Sequence, residues 1–199
     1  MGRRREFDLD RAIGIATDLF WRRGYEGTSV SELTEAIGIT APSFYFAFES
    51  KEALFRRIVE TYQARQAEIV EAAFRQRDAR SLAGTLLAGF ADLLTDPSHA
   101  RGCLIMNSAM PIVEEHPIRR EWAGQRQALR LKLQQRFEQE RDGGAGWPAG
   151  LDPDGLARMI VALIWGFAIE AQSGASRADL GKAISQTLTL LPVPDAGTR

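Results

Sequence analysis

Residues 28–55, TSVSELTEAIGITAPSFYFAFESKEALF, read as two short helices joined by a tight turn and running directly into a third. Thr28 or Ser29 can cap a helix whose apolar side is Val30, Leu33, Ala36 and Ile37. Gly38 follows where a helix C-terminus favours a left-handed residue. Thr40 offers a second N-cap, Pro42 sits in the first turn where its missing N–H costs nothing, and Phe44, Tyr45 and Phe48 supply bulk. Ser50 caps the next helix, with Glu52 near its positive end and Ala53 where a capping box would want Glu or Gln. This is the outline of a helix-turn-helix, a unit whose second helix enters the DNA major groove.

Working outward, Leu9 to Arg23 forms a helix with Ala12, Ile15, Ala16, Leu19 and Phe20 on one face and Gly24 ending it. The helix begun at Ser50 continues through Leu54, Ile58, Tyr62, Ile69 and Phe74 to about Gln76. In order and spacing, the runs ATDLFWRRGYEGTSV, ELTEAIGIT and SFYFAFESKEALF resemble the TetR family of transcriptional regulators. Turn glycines, Tyr45, Phe48, Lys51 and Leu54 fall in the family register, over roughly the first quarter to third of the chain. The resemblance implies an all-α homodimer of about nine helices. A three-helix helix-turn-helix DNA-binding domain would occupy residues 1–50. A C-terminal helical domain for effector binding and dimerisation would occupy 51–199, with 51–76 as the connecting helix. It further implies a palindromic double-stranded operator, repression as the default, and release by a small-molecule effector.

The charge pattern qualifies this reading. The 199-residue chain has a formal net charge of −1, and within residues 1–57 nine basic side chains face nine acidic ones. Bulk charge therefore supplies no steering, and attraction to DNA rests on the Arg3, Arg4 and Arg5 arm, Lys51, and helix N-termini aimed at phosphates. Lys51 at a helix start opposes the helix dipole, which favours a role in holding phosphate. Ile39 to Phe48 carries no charged side chain. Bases would be read by the hydroxyls of Thr40 and Ser43 and by contact of Ala41 and Pro42 with thymine methyls. By resemblance, the Tyr45 hydroxyl contacts a phosphate. Phe46 would stack on sugar or pack, and Thr28 and Ser29 complete the candidate DNA-contacting set. Ala41 and Ala47 stand where the family commonly has polar, basic or aromatic residues. A shallower salt dependence of DNA binding than in more basic relatives is expected.

The C-terminal half alternates apolar helices with short breakers: Ser81 to Thr95, Cys103 to Met110, Pro117 to Glu140, Pro153 to about Ser173 and Ser176 to about Leu191. Between them lie a loop from Pro111 to Pro117 and the flexible RDGGAGWPAGLDPDG. The helix from Pro153 is apolar almost all round, so a symmetry mate is its natural cover. Met159, Ala162, Leu163, Gly166, Phe167 and, on the last helix, Leu188 are the candidate dimer residues. Phe90, Cys103, Met106, Asn107, Met110, Trp122, Phe137 and Trp165 are candidates to line an apolar effector pocket, with Asn107 and Ser108 as polar anchors. RGCLIMNSA also resembles a stretch that lies near the effector cavity in one branch of the family.

Two other readings of these residues stay open. One is a DNA-binding dimer without an effector. The other is a copper(I)-responsive repressor using Cys103 with Met106, Met110 and His116, since thiolate and thioether ligands suit that ion. An enzyme would have only Cys103 with His99 or His116 to draw on, and no pattern supports one. A single cysteine excludes an intramolecular disulfide and thiolate-rich zinc sites. No metal site or cofactor is assigned. No apolar run approaches the roughly 18 residues of a membrane span, and a cytoplasmic protein that does not engage a membrane is expected.

Overall fold

The computed structural model describes residues 8–109, 117–144 and 146–192. Among these residues the chain forms helices and no strands, in the order α1 (Leu9–Arg23), α2 (Val30–Ile37), α3 (Ala41–Phe48), α4 (Lys51–Phe74), α5 (Ala79–Thr95), α6 (Leu104–Ala109), α7 (Pro117–Asp142), α8 (Pro153–Gln172) and α9 (Arg177–Leu188). The expected arm Arg3–Arg5 and the loop carrying Met110 and His116 lie outside the described residues.

Helix starts follow the capping chemistry. Ser29 and Glu32 make a reciprocal capping box, in which the Ser29 hydroxyl accepts from the Glu32 N–H and the Glu32 carboxylate accepts from the Ser29 N–H. Thr40 caps α3, Ser50 caps α4 and Asp152 caps α8. Gly38 takes the left-handed conformation that ends α2, at φ 79°.

Several boundaries differ from the sequence expectation. α5 begins at Ala79, not Ser81, because the Asp78 carboxylate accepts from the Ser81 N–H and so caps the helix two residues earlier. α4 stops at Phe74, giving 24 residues and about 36 Å at 1.5 Å per residue. α6 begins one residue after Cys103. α9 ends at Leu188, because Leu190 and Leu191 donate three residues back, to Thr187 and Leu188, in tighter turns.

Helices α1–α3 pack around Ala16, Phe20, Leu33, Phe44 and Phe48, all buried, and Leu54 and Phe55 of α4 complete that core. The remaining helices bury Leu82, Leu86, Leu87, Leu133, Phe137, Leu156 and Ile160. The two cores are continuous through α4 and through α6, which packs on both α1 and α4.

Candidate nucleic-acid interface and effector cavity

The outer face of α3 is polar or apolar but uncharged. Ala41, Pro42, Ser43 and Thr40 are exposed, Tyr45 is 51% exposed, and Phe46 is 93% exposed. A Phe ring left in water at the centre of a short helix adds nothing to the fold, whereas Phe44 and Phe48 on the opposite face are buried. The Thr40 and Ser43 hydroxyls lie 3.0 Å apart, which fixes them side by side at the N-terminus of the helix. Ser29 is exposed at the start of α2.

Two expected DNA contacts are corrected. Thr28 is fully buried, and its hydroxyl donates to the Gly24 carbonyl at 2.8 Å, so it closes the turn after α1. Lys51 Nζ donates to the Tyr25 and Thr28 carbonyls at 3.0 and 3.1 Å and lies 4.1 Å from the Tyr25 ring centroid. Its ammonium is thereby committed to pinning the α1–α2 turn onto the start of α4, an arrangement that also answers its awkward place at a helix N-terminus. Arg23 meets Glu32 at 2.6 Å across the α1–α2 corner. The Ser29 N–H and hydroxyl hold the Glu32 carboxyl below the usual carboxylate range.

Between α4, α5, α7 and α8 lies a cavity of about 640 Å³, within the range of ligand sites. Phe90, Leu94, Cys103, Met106, Val161, Ile164 and Ala168 form its apolar interior, and Gln63, Gln66, Gln125, Arg126 and Lys132 are among its polar lining. Trp122 and Trp165 stack at 4.8 Å, with the Arg126 guanidinium 4.3 Å from the Trp165 ring centroid. Of the expected pocket residues, Phe90, Cys103, Met106, Trp122 and Trp165 are brought together here. Phe137 is not, since it is fully buried beside Trp147.

Asn107 and Ser108 also stand elsewhere. The Ser108 hydroxyl donates to the Phe20 carbonyl at 2.7 Å and the Asn107 amide to the Trp21 carbonyl at 3.4 Å, so α6 satisfies carbonyls at the open C-terminal end of α1. The cavity floor and the DNA-reading unit are thus joined by six residues of helix. Cys103 is buried and burial pushes its thiol up, away from the thiolate form. Among the described residues no group of three or more His, Cys, Asp and Glu is placed to hold a metal ion.

On α8, Met159, Ala162, Leu163 and Gly166 share one outward stripe with Ile169, which is 55% exposed. Phe167 does not belong to it, being 3% exposed and turned into the core. Leu188 packs within its own chain, its Cδ1 lying 3.4 Å from where a Cβ on Gly84 would stand.

Comparison with known proteins agrees with this architecture. The family described as "Bacterial regulatory proteins, tetR family" matches residues 13–58. The HTH-type transcriptional repressor ComR of Escherichia coli (strain K12) is 32% identical over 96% of this chain and 92% of its own. HTH-type transcriptional repressor BdcR of the same organism is 42% identical over 33% of this chain and 34% of its own. Among solved structures, a cysteine mutant of the TetR family transcriptional regulator CifR complexed with 26 bp double-strand operator DNA superposes with TM-score 0.76 at 30% identity. That match covers 96% of this chain and 100% of CifR.

Proposed function

We propose a function from one premise: the chain belongs to the tetR family of bacterial regulatory proteins, and it is a DNA-binding transcriptional regulator. Our reading is that it is a homodimeric repressor of a palindromic operator, released when a small molecule occupies the cavity between α4, α5, α7 and α8. Residues 1–50 act as the reader and 51–199 as the effector and dimer domain, with α4 as the lever between them. The observation that carries this reading is the pairing of an exposed, uncharged α3 face with an apolar cavity that rests on α4 between Glu60 and Glu71. Repression and operator contact are described for the relatives named above, and that supports the same role here.

Thr40, Ser43, Ala41 and Pro42 read base edges, while Tyr45 holds a phosphate and Phe46 packs along the sugar backbone; the Ser29 N–H and hydroxyl are engaged by Glu32 and leave the expected set. Two such faces about 34 Å apart meet successive major grooves of an inverted repeat. Arg3, Arg4 and Arg5 extend the set as a basic arm. Effector binding favours a dimer shape in which α4 is displaced and the two readers lose groove spacing. A coupling of about 1–3 kcal/mol suffices for that response.

The test uses reciprocal linkage. Compounds that raise the melting temperature of the protein are titrated against the complex with its operator, and a true effector weakens operator binding by the same factor by which operator weakens its own binding. Compounds that stabilise the protein yet leave operator affinity unchanged would reduce the cavity to a passive void and favour a dimer without an effector.

A further inference from the structure

The face that α3 turns to solvent offers few ways to tell one base pair from another. Over Ala41–Phe48 there is no arginine, lysine, asparagine, glutamine, aspartate or glutamate. The bidentate hydrogen bonds by which side chains single out guanine or adenine, and the carboxylate that accepts from cytosine, are therefore absent from this helix. What stands outward is Ala41, Pro42, Ser43, Tyr45 and Phe46, with Thr40 just before them.

The hydroxyls at its start add little discrimination. Thr40 Oγ1 and Ser43 Oγ are 3.0 Å apart, so one of their hydrogens is used within the pair. Thr40 Oγ1 also accepts from the Ser43 N–H as the helix cap. A hydroxyl both donates and accepts, and so fits a carbonyl edge as well as an amino edge.

The apolar groups behave differently. Ala41 ends in a methyl, and Pro42 in a ring that lacks even a backbone N–H. Neither side chain can sense whether a pyrimidine carries an oxygen or an amino group at C4. The apolar feature that a major groove presents to them is the methyl group at C5 of thymine. Phe46, four residues after Pro42 and 93% exposed, continues the same side of the helix toward the sugar backbone.

Resting on α3 as the reader in the function proposed above, we infer that this helix specifies its site by the C5-methyl group of pyrimidines. Thymine and 5-methylcytosine are then equivalent at the positions that Ala41 and Pro42 cover. An unmethylated cytosine there loses the contact, and methylation at C5 restores it, so the same contact that selects thymine makes binding responsive to cytosine methylation.

The test takes duplexes that the full-length protein enriches from a random pool and replaces their thymines one position at a time, with affinity read by fluorescence anisotropy. Uracil pairs as thymine does but lacks the methyl, and at a contacted position it lowers affinity about fourfold for each methyl removed, the factor of one buried carbon group. At that position a 5-methylcytosine–guanine pair binds as well as thymine–adenine, whereas cytosine–guanine falls with uracil. Ala41→Gly or Pro42→Ala brings the thymine-to-uracil ratio toward one at the position that the lost group covers. Three results would each overturn the proposal while leaving a sequence-selective DNA reader in place: uracil without effect at every position, a 5-methylcytosine pair as weak as the cytosine pair, or a ratio unchanged in both variants. A pool with no enrichment would instead overturn the reading role assigned to α3, and the proposal with it.

Discussion

Single residues divide into those that face outward for DNA and those that hold the reader together, and chemistry alone does not separate them. Tyr45 and Lys51 look equally suited to phosphate, yet the Tyr45 ring is half exposed while Lys51 is spent on two backbone carbonyls. Tyr45→Phe is expected to weaken binding to every duplex by about 1 kcal/mol, the net worth of one hydrogen bond, with no change in melting temperature. Fluorescence anisotropy on operator and unrelated DNA checks this, and unaltered affinity for both would remove Tyr45 from the interface. Lys51→Met should instead lower stability by about 1.5–3 kcal/mol, as charged hydrogen bonds are lost from the α1–α2 turn. Denaturant unfolding that leaves the midpoint unchanged would return Lys51 to the phosphate-binding set.

Elements were legible in the sequence at most of the starts that a side chain caps, and less so at their ends. Ser29, Thr40 and Ser50 mark helix starts that the structure reproduces, because a capping hydroxyl is a local interaction needing no tertiary partner. Asp78 was the local signal that would have placed the start of α5 correctly. The end of α9 carried no comparable mark, since the tight turns there involve only backbone. Apolar residues were legible as buried but not by neighbour: nothing in the helical period tells that Phe137 meets Trp147 while Trp122 meets Trp165 over a cavity. The same limit hid Asn107 and Ser108, whose partners on α1 lie 86 and 88 residues away. Ser29→Ala removes the hydroxyl half of the α2 capping box, keeps the backbone N–H donation to Glu32, and should cost about 1 kcal/mol by thermal melting. No loss of stability would mean that packing on α1 alone holds α2.

At the scale of the whole molecule, the proposed function depends on two readers held at a fixed separation. The Met159, Ala162, Leu163, Gly166 and Ile169 stripe is the surface on which we place the dimer contact, with small residues allowing close approach. Ile169→Glu adds a charge to each side of a two-fold contact and should yield monomers with operator affinity reduced at least about tenfold, since one reader must then bind alone. Sedimentation of the variant as an intact dimer would move the contact to another face. The balanced charge of residues 1–57 also sets an expectation for the assembly: the log–log salt slope of operator binding should imply no more than about six phosphate contacts per protomer. A steeper slope would mean that attraction comes from a basic surface outside the proposed set.

The measurement that bears most directly on the account is selection of bound duplexes from a random DNA pool by the purified protein, with the mass of the selected complex determined alongside. The account predicts enrichment of an inverted repeat, with half-sites about one helical turn apart, carried by two protomers. Enrichment of a single unrepeated site bound by one protomer, or no enrichment at low salt, would contradict it.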